Sequence, residues 1–168
     1  VQVTVASNTS HNTARIDLRG QTASVDEMKV KAGAKNEKGK VKSSNVEATV
    51  GSGAAGIGVV SFNFAQGSNT SVNNAEILGN ADTELTANKV EVYALGASKA
   101  KTDIYNVSIG LFSISANIAL SNQEAVQNAR IYGIGSLQAE SVKATSEFNY
   151  NEPEKGKAEV IEDSAYSL

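Results

Sequence analysis

The sequence contains no cysteine and no tryptophan, and it has a single proline and a single histidine among 168 residues. Without cysteine the chain has no disulfides, no zinc-finger sites and no thiol catalysis. Aromatic residues make up only 5% of the chain, which excludes a thick core built on phenylalanine. Alanine, serine, asparagine, valine and threonine take their place. Small and β-branched residues suit strands stacked in register, so they predict a thin core between strands.

The charge pattern argues against two classes of partner. The formal net charge is −3, and no basic stripe is present, which argues against a nucleic-acid interface. No apolar run reaches about 18 residues, so no transmembrane segment is expected. Because Val1 already lies in a strand pattern with no preceding methionine or signal peptide, we expect the chain to be an internal piece of a longer protein.

A repeat with a period of 54 residues runs through the chain. The segment GIGVVSFNFA at 56–65 recurs as GLFSISANIA at 110–119, and NNAEI ending at Ile77 recurs as QNARI ending at Ile131. A third copy lies near the N-terminus, where NTARI ends at Ile16. Self-similarity at a fixed period is typical of repeat architectures in which like units stack on one another.

The repeat divides into halves of about 27 residues, because apolar columns recur at that spacing. Apolar residues alternate within each half, as in Val90-x-Val92-x-Ala94, which is typical of strands with one buried face. No segment has a sustained period of 3.6, so almost no helix is expected. We therefore predict an all-β chain, with residues 1–168 forming a single parallel β-helix of about six rungs of roughly 27 residues. The predicted core columns are Val30/Phe64/Val92/Ile118/Ala144, Met28/Phe62/Val90/Ala116/Val142 and Ile16/Val50/Ile77/Ile104/Ile131.

Two stretches rich in lysine and glutamate interrupt the pattern. AKNEKGKVK at 34–42 coincides with an insertion of 8 residues, and NEPEKGKAE at 151–159 is related to it. Glu-Lys-Gly between extended runs predicts hairpin-like loops near 34–42 and 150–159. Anionic glycans or lipid headgroups are alternative partners for the first loop, but a solvated loop is the favoured interpretation of its lysines, Lys35, Lys38, Lys40 and Lys42.

No residue pattern indicates a catalytic, cofactor-binding or metal site. His11, the only histidine, shares a column with Val72 and Val126 and is predicted to be partly buried. Arg15 and Arg130 recur at equivalent positions with Glu76 between them, so they belong to the repeat. Three glycine pairs lack the strand-then-helix context of a dinucleotide site and are predicted to ease tight turns; they are Gly51 and Gly53, Gly56 and Gly58, and Gly133 and Gly135.

An enzyme remains an alternative, because parallel β-helices include polysaccharide lyases and hydrolases. Such enzymes need clustered carboxylates or basic groups on a strand face. The outward positions instead alternate charged rungs, such as Lys89, Glu91 and Tyr93, with small polar ones. One outward column runs Lys29, Asn63, Glu91, Asn117, Lys143. Unlike charges in that column favour a solvated sheet face over a catalytic cluster.

The repeats that end in NARI or NAEI, followed by LTANKVEVYA at 85–94 and then GLFSISANIA, resemble large filamentous-haemagglutinin-like exoproteins. More narrowly, the stretches NEKGKVK and VSIGL resemble repeats of the fusobacterial leukotoxin-type filamentous adhesins. The likeness extends over essentially the whole chain and implies a right-handed β-helix, export through an outer-membrane secretion partner, and host-cell attachment or leukocyte killing. No family binding residue maps onto a position in this chain.

Three functions are compatible with these features: a segment of a secreted or cell-surface adhesin or leukotoxin, a carbohydrate-active β-helix enzyme, and a passive spacer in a surface filament. The first is our prediction, with no enzymatic activity and no cofactor. The expected partner is an unidentified host-cell surface protein or glycan. Missing capping rungs also predict weak end-to-end self-association through open strand edges.

Overall fold

The computed structural model describes residues 1–33 and 44–148, and the backbone of 162–167. The predicted loops near 34–42 and 150–159 lie outside these described residues. Within the described ranges the chain forms strands and no helix. The strands are β1 (Gln2–Asp17), β2 (Thr22–Ala32), β3 (Ser44–Leu78), β4 (Glu84–Gly96), β5 (Ser98–Tyr132), β6 (Ser136–Phe148) and β7 (Glu162–Ser167).

The strands form two parallel sheets, which confirms the prediction of an all-β chain. The large sheet has the order β1-β3-β5-β7, and the small sheet has the order β2-β4-β6. The chain therefore alternates between the sheets, and each return places a new strand beside the previous strand of the same sheet. We call one large-sheet strand and the small-sheet strand that follows it a layer. The described strands form three layers, and β7 begins another.

The spacing between stacked strands corrects the predicted rung. Strands β3 and β5 pair with partners 54 residues apart, such as Ser61 and Ser115. Strand β1 pairs with β3 at a spacing of 61, and β2 pairs with β4 at a spacing of 62. No strand pair within the described ranges joins residues 27 apart. The prediction of about six rungs of 27 residues is wrong, because successive half-repeats lie in different sheets.

The predicted core columns are confirmed in the small sheet. Val30, Val92 and Ala144 are register partners, as are Met28, Val90 and Val142. Val90 and Val92 are fully buried in the main core cluster together with Leu85 and Ile77. Val142 is 51% exposed, because β6 is the outermost described strand of its sheet.

The isoleucine column divides between two clusters. Ile16, Ile77 and Ile131 are partners in one stack, which packs into the main core. Val50 and Ile104 are partners in another part of the same sheet, where they form a second cluster with Ala65. A spacing of 27 therefore relates equivalent chemistry in one long strand, not neighbours in a stack.

The buried face of the central part of the large sheet is the reverse of the prediction. Asn63 and Ala65 are buried, whereas Phe62 is exposed and Ile118 is 41% exposed. The inner face of this part packs closely against the first part of the long strands. A Cβ added to Gly67 would lie 3.2 Å from the Oγ1 atom of Thr102. The space inside therefore admits small side chains and amides, and it leaves the bulky side chains outside.

Stacked amide side chains stabilise the interior of the large sheet. The Nδ2 atom of Asn63 donates to Oδ1 of Asn117 at 2.9 Å. In a second ladder, Asn12 donates to Asn73, and Asn73 donates to Gln127, each at 2.8 Å. An amide both donates and accepts, so each member can satisfy its neighbours above and below along the stack. These side chains fill the place of an apolar core.

The predicted role of glycine in turns is confirmed only at the end of β5. Gly133 lies between β5 and β6 with φ of 75°, a conformation that residues with a Cβ rarely adopt. An added Cβ would also lie 2.5 Å from the carbonyl oxygen of Gly79 in the layer beneath. The glycines between 51 and 58 lie inside β3, so the prediction that they form tight turns is wrong.

Candidate functional surfaces

His11 lies on β1 as the register partner of Val72. Its side chain is exposed, so the prediction of a partly buried position is wrong. Strand β1 is the outermost strand of the large sheet, and His11 lies on the face opposite the inward Asn12. This position gives the imidazole no buried partner that would prepare it for proton transfer.

The recurring arginines form a ladder with the glutamate between them. Arg15 and Arg130 each place Nη2 at 2.7 Å from one carboxylate oxygen of Glu76. Glu76 is buried at 3% exposure. The hydrogen bond from Arg15 is the main reason that the pKa of Glu76 is lowered, and the charge of Arg130 adds to it. The ladder stays ionised and joins three layers, as expected of a structural repeat.

The outer face of the small sheet carries a second charged ladder. Lys29, Glu91 and Lys143 are register partners, as the predicted outward column requires, but its two asparagines belong to the interior of the large sheet. Glu91 lies 2.6 Å from Nζ of Lys29 and 2.8 Å from Nζ of Lys89. Hydrogen bonds from these lysines hold the pKa of Glu91 at about 2. Unlike charges are thus direct neighbours, with Glu91 bridging two layers.

Lysines surround the ring of Tyr93 beside this ladder. The Nζ atoms of Lys143, Lys29 and Lys31 lie 5.4, 5.5 and 5.9 Å from the ring centroid. These distances are within the range of cation–π interactions. The lysines come from β2 and β6, which flank β4, so stacking brings together residues far apart in the chain.

A surface cavity of about 280 Å³ opens at this ring. We call it the Tyr93 cavity. Thr145 and Glu147 of β6 complete its polar lining. Its residues are Lys29, Lys31, Tyr93, Leu95, Lys143, Thr145 and Glu147. Sequence reasoning placed Tyr93 on an outward row but missed the cavity; the available signal was an aromatic residue among lysines on consecutive strands.

A second cavity, of about 470 Å³, lies inside the large sheet where β1 faces the start of β3. Its lining includes Asn8, Asn12, Ser44 and Asn73. These groups hydrogen-bond to one another along the amide ladders. The cavity lining contains no charged side chain, so it offers hydrogen bonds but no acid, base or ion ligand.

The outer face of the large sheet is apolar. Val60 and Phe112 are largely exposed, and the stack of Ile114, Ile118 and Leu120 lies on the same strand as Phe112. These are the side chains that the narrow interior excludes. The face offers contact area without groups for ion binding or catalysis.

No group of three or more histidine, cysteine, aspartate or glutamate residues suited to a metal ion occurs in the described part of the chain. Over the same residues, no helix is long and apolar enough to cross a membrane. No protein-family model, no curated protein and no solved structure matches the chain. The functional interpretation therefore depends on the geometry of the surfaces themselves.

Replacing Glu91 with glutamine is expected to flatten the pH dependence of the free energy of unfolding between about pH 4.5 and about pH 2. The pKa of Glu91 is lower in the folded chain than its ordinary value of 4.5, so its ion pairs stabilise the fold above pH 4.5. That contribution is lost as the pH falls towards 2 and the carboxylate is protonated. Urea unfolding followed by circular dichroism across this interval measures the effect.

The matched control is Glu140→Gln, which removes an exposed carboxylate from β6 of the same sheet. It should leave the slope of the unfolding free energy against pH unchanged. Equal flattening by both variants would show that general charge, and not the ladder of lysines on Glu91, sets the acid response.

Proposed function

We propose that this chain is a non-catalytic display segment of a secreted or cell-surface bacterial adhesin or leukotoxin. In this proposal it contacts a protein or glycan on host cells, and export of the full-length protein uses an outer-membrane partner. The observation that carries the proposal is the stacking of recurring polar side chains over successive layers. This regular surface suits many weak contacts made in parallel.

The proposal includes a right-handed parallel β-helix. Its support is the alternation of the chain between two parallel sheets, in which each return adds one strand in sequence order. Connections between parallel strands of one sheet are right-handed in about 98% of known cases. The open outer edges of β1 and β6 support weak end-to-end association as part of the same proposal.

The charge chemistry favours display over carbohydrate cleavage. A glycosidase acid needs a carboxyl group whose pKa is raised so that it can donate a proton. The two carboxylates at the centres of the ladders, Glu76 and Glu91, have lowered pKa values because each is bound by two cationic side chains. They are suited to fixing the sheet surface and not to donating protons.

Host-cell binding by proteins that carry one, two or four tandem copies of the segment tests the proposal. Binding at equal molar concentration of protein should rise more steeply than the copy number, because linked weak contacts raise the effective concentration. Flow cytometry with fluorescently labelled protein measures it. An unrelated β-sheet protein with the same net charge serves as the control.

Two results would contradict the proposal. Binding no stronger than that of the control at any copy number would favour a passive spacer. Turnover of a glycan by the purified protein, abolished by one substitution, would establish the enzyme alternative.

A further inference from the structure

Two of the lysines at the Tyr93 cavity lack a counter-charge. Lys29 is bound to Glu91, but Lys31 and Lys143 form no ion pair with any carboxylate of the described residues. The cavity therefore presents two uncompensated ammonium groups beside one aromatic ring. Like charges on adjacent strands repel, and an anion placed between them would relieve that repulsion.

The ring explains how the lysines can lie so close together. The face of an aromatic ring carries negative potential, which attracts ammonium groups at the distances seen around Tyr93. Their Nζ atoms are thereby held around one opening instead of spreading into solvent. This arrangement reduces the conformational entropy that the lysines would lose when an anion binds.

The remaining polar groups indicate more than a simple anion site. Thr145 supplies a hydroxyl group, and Glu147 supplies a carboxylate whose Oε2 atom accepts no hydrogen bond. A carboxylate in such a place is best satisfied by a ligand that donates O–H groups. A volume of about 280 Å³ lies at the small end of ligand cavities, which suits one or two sugar rings.

We infer that the Tyr93 cavity binds an acidic saccharide, in which a carboxylate or sulfate group contacts Lys31 and Lys143. Ring hydroxyl groups of the same sugar donate to Glu147 and exchange hydrogen bonds with Thr145. The inference rests on the proposed display function and names the chemical class of its partner. It also makes the site dependent on stacking, because β2, β4 and β6 each contribute to it.

Calorimetric titration of the purified protein tests the inference. The probes are a heparin tetrasaccharide, a hyaluronan tetrasaccharide and the neutral cellotetraose. At least one acidic tetrasaccharide should bind, cellotetraose should not, and affinity should fall with added salt. The double variant Lys31→Gln with Lys143→Gln should bind about tenfold more weakly or worse, since it loses two charged hydrogen bonds.

The control variant carries Lys99→Gln and Lys101→Gln, which remove the same charge from β5 of the large sheet. It should retain the affinity of the unaltered protein. Equal losses in the two double variants would overturn the site, because they would indicate general attraction. Binding to vesicles of anionic phospholipid without binding to either acidic tetrasaccharide would also overturn it, in favour of a lipid surface.

Circular dichroism and unfolding midpoints confirm that both double variants remain folded. The inference and the proposed function can fail separately. Acidic tetrasaccharide binding without host-cell binding removes the display function and keeps the site. Host-cell binding that is unchanged in the variant of Lys31 and Lys143 removes the site and keeps the display function.

Discussion

Replacing Ile77 with aspartate should lower the free energy of unfolding by about 3 kcal/mol or more. Ile77 has no exposed surface and packs in the main core cluster with Leu85 and Val90. Its register partners on both sides are also isoleucines, so the carboxylate would be surrounded by apolar side chains. The measurement is urea unfolding at neutral pH.

Ile118→Asp is the matched control, because it makes the same chemical change on β5. Ile118 is 41% exposed on the outer face of the large sheet, so this variant should lose less than about 1 kcal/mol. Sequence reasoning placed Ile118 in the core and predicted a loss of several kcal/mol for this change. A loss at Ile118 equal to that at Ile77 would show that the inner and outer faces of β5 are reversed.

Replacing Asn63 with aspartate should lower the free energy of unfolding by about 2 kcal/mol or more. Asn63 is 1% exposed, and its Nδ2 atom donates to Oδ1 of Asn117. Aspartate has nearly the same shape but loses that donor and sets an acceptor against an acceptor. It also buries a charge in a stack of neutral amides. Urea unfolding at neutral pH again measures the change.

The control here is Asn122→Asp on β5, where the side chain is exposed. It should change the free energy of unfolding by less than about 0.5 kcal/mol. The pair separates a buried amide ladder from a general effect of added negative charge. If both variants unfold at the same urea concentration as the unaltered protein, the amides do not form the interior of the large sheet.

The sequence allowed prediction of strands and of their equivalent positions, because period-two alternation and a 54-residue repeat are local and linear features. Ile16, Ile77 and Ile131 are partners in the structure, as the repeat implied. The half-period of 27 was misleading. Alternation is the same for a strand in either sheet, so it cannot tell whether two similar segments stack or lie in different sheets.

The inner face could not be chosen from hydropathy alone. Phe62 and Phe64 alternate with Asn63 and Ala65, and the aromatic side chains are the natural choice for a core. The choice depends on how closely another part of the same sheet approaches, and the contacts around Gly67 show that bulky side chains do not fit. That distance is a tertiary property with no local signal in the sequence.

The candidate site was partly predictable. The charged row of Lys29, Glu91 and Lys143 was found as an outward column, because the repeat places these residues at equivalent positions. The cavity needed more, since Lys31 and Tyr93 become neighbours only through the 62-residue stagger between β2 and β4. An insertion sets that stagger, and it displaces the simple period of the repeat.

Disulfide formation between introduced cysteines tests the stacking register most directly, and the chain has no cysteine of its own. Ser61 and Ser115 are register partners with hydroxyl oxygens 2.9 Å apart, whereas Ser141 pairs with Lys89 in the small sheet. Mild oxidation followed by non-reducing peptide mapping should join Ser61→Cys to Ser115→Cys within one chain. The variant with Ser115→Cys and Ser141→Cys, spaced close to the predicted rung of 27, should stay reduced. Efficient bonding of this second pair, with none in the first, would contradict the two-sheet arrangement.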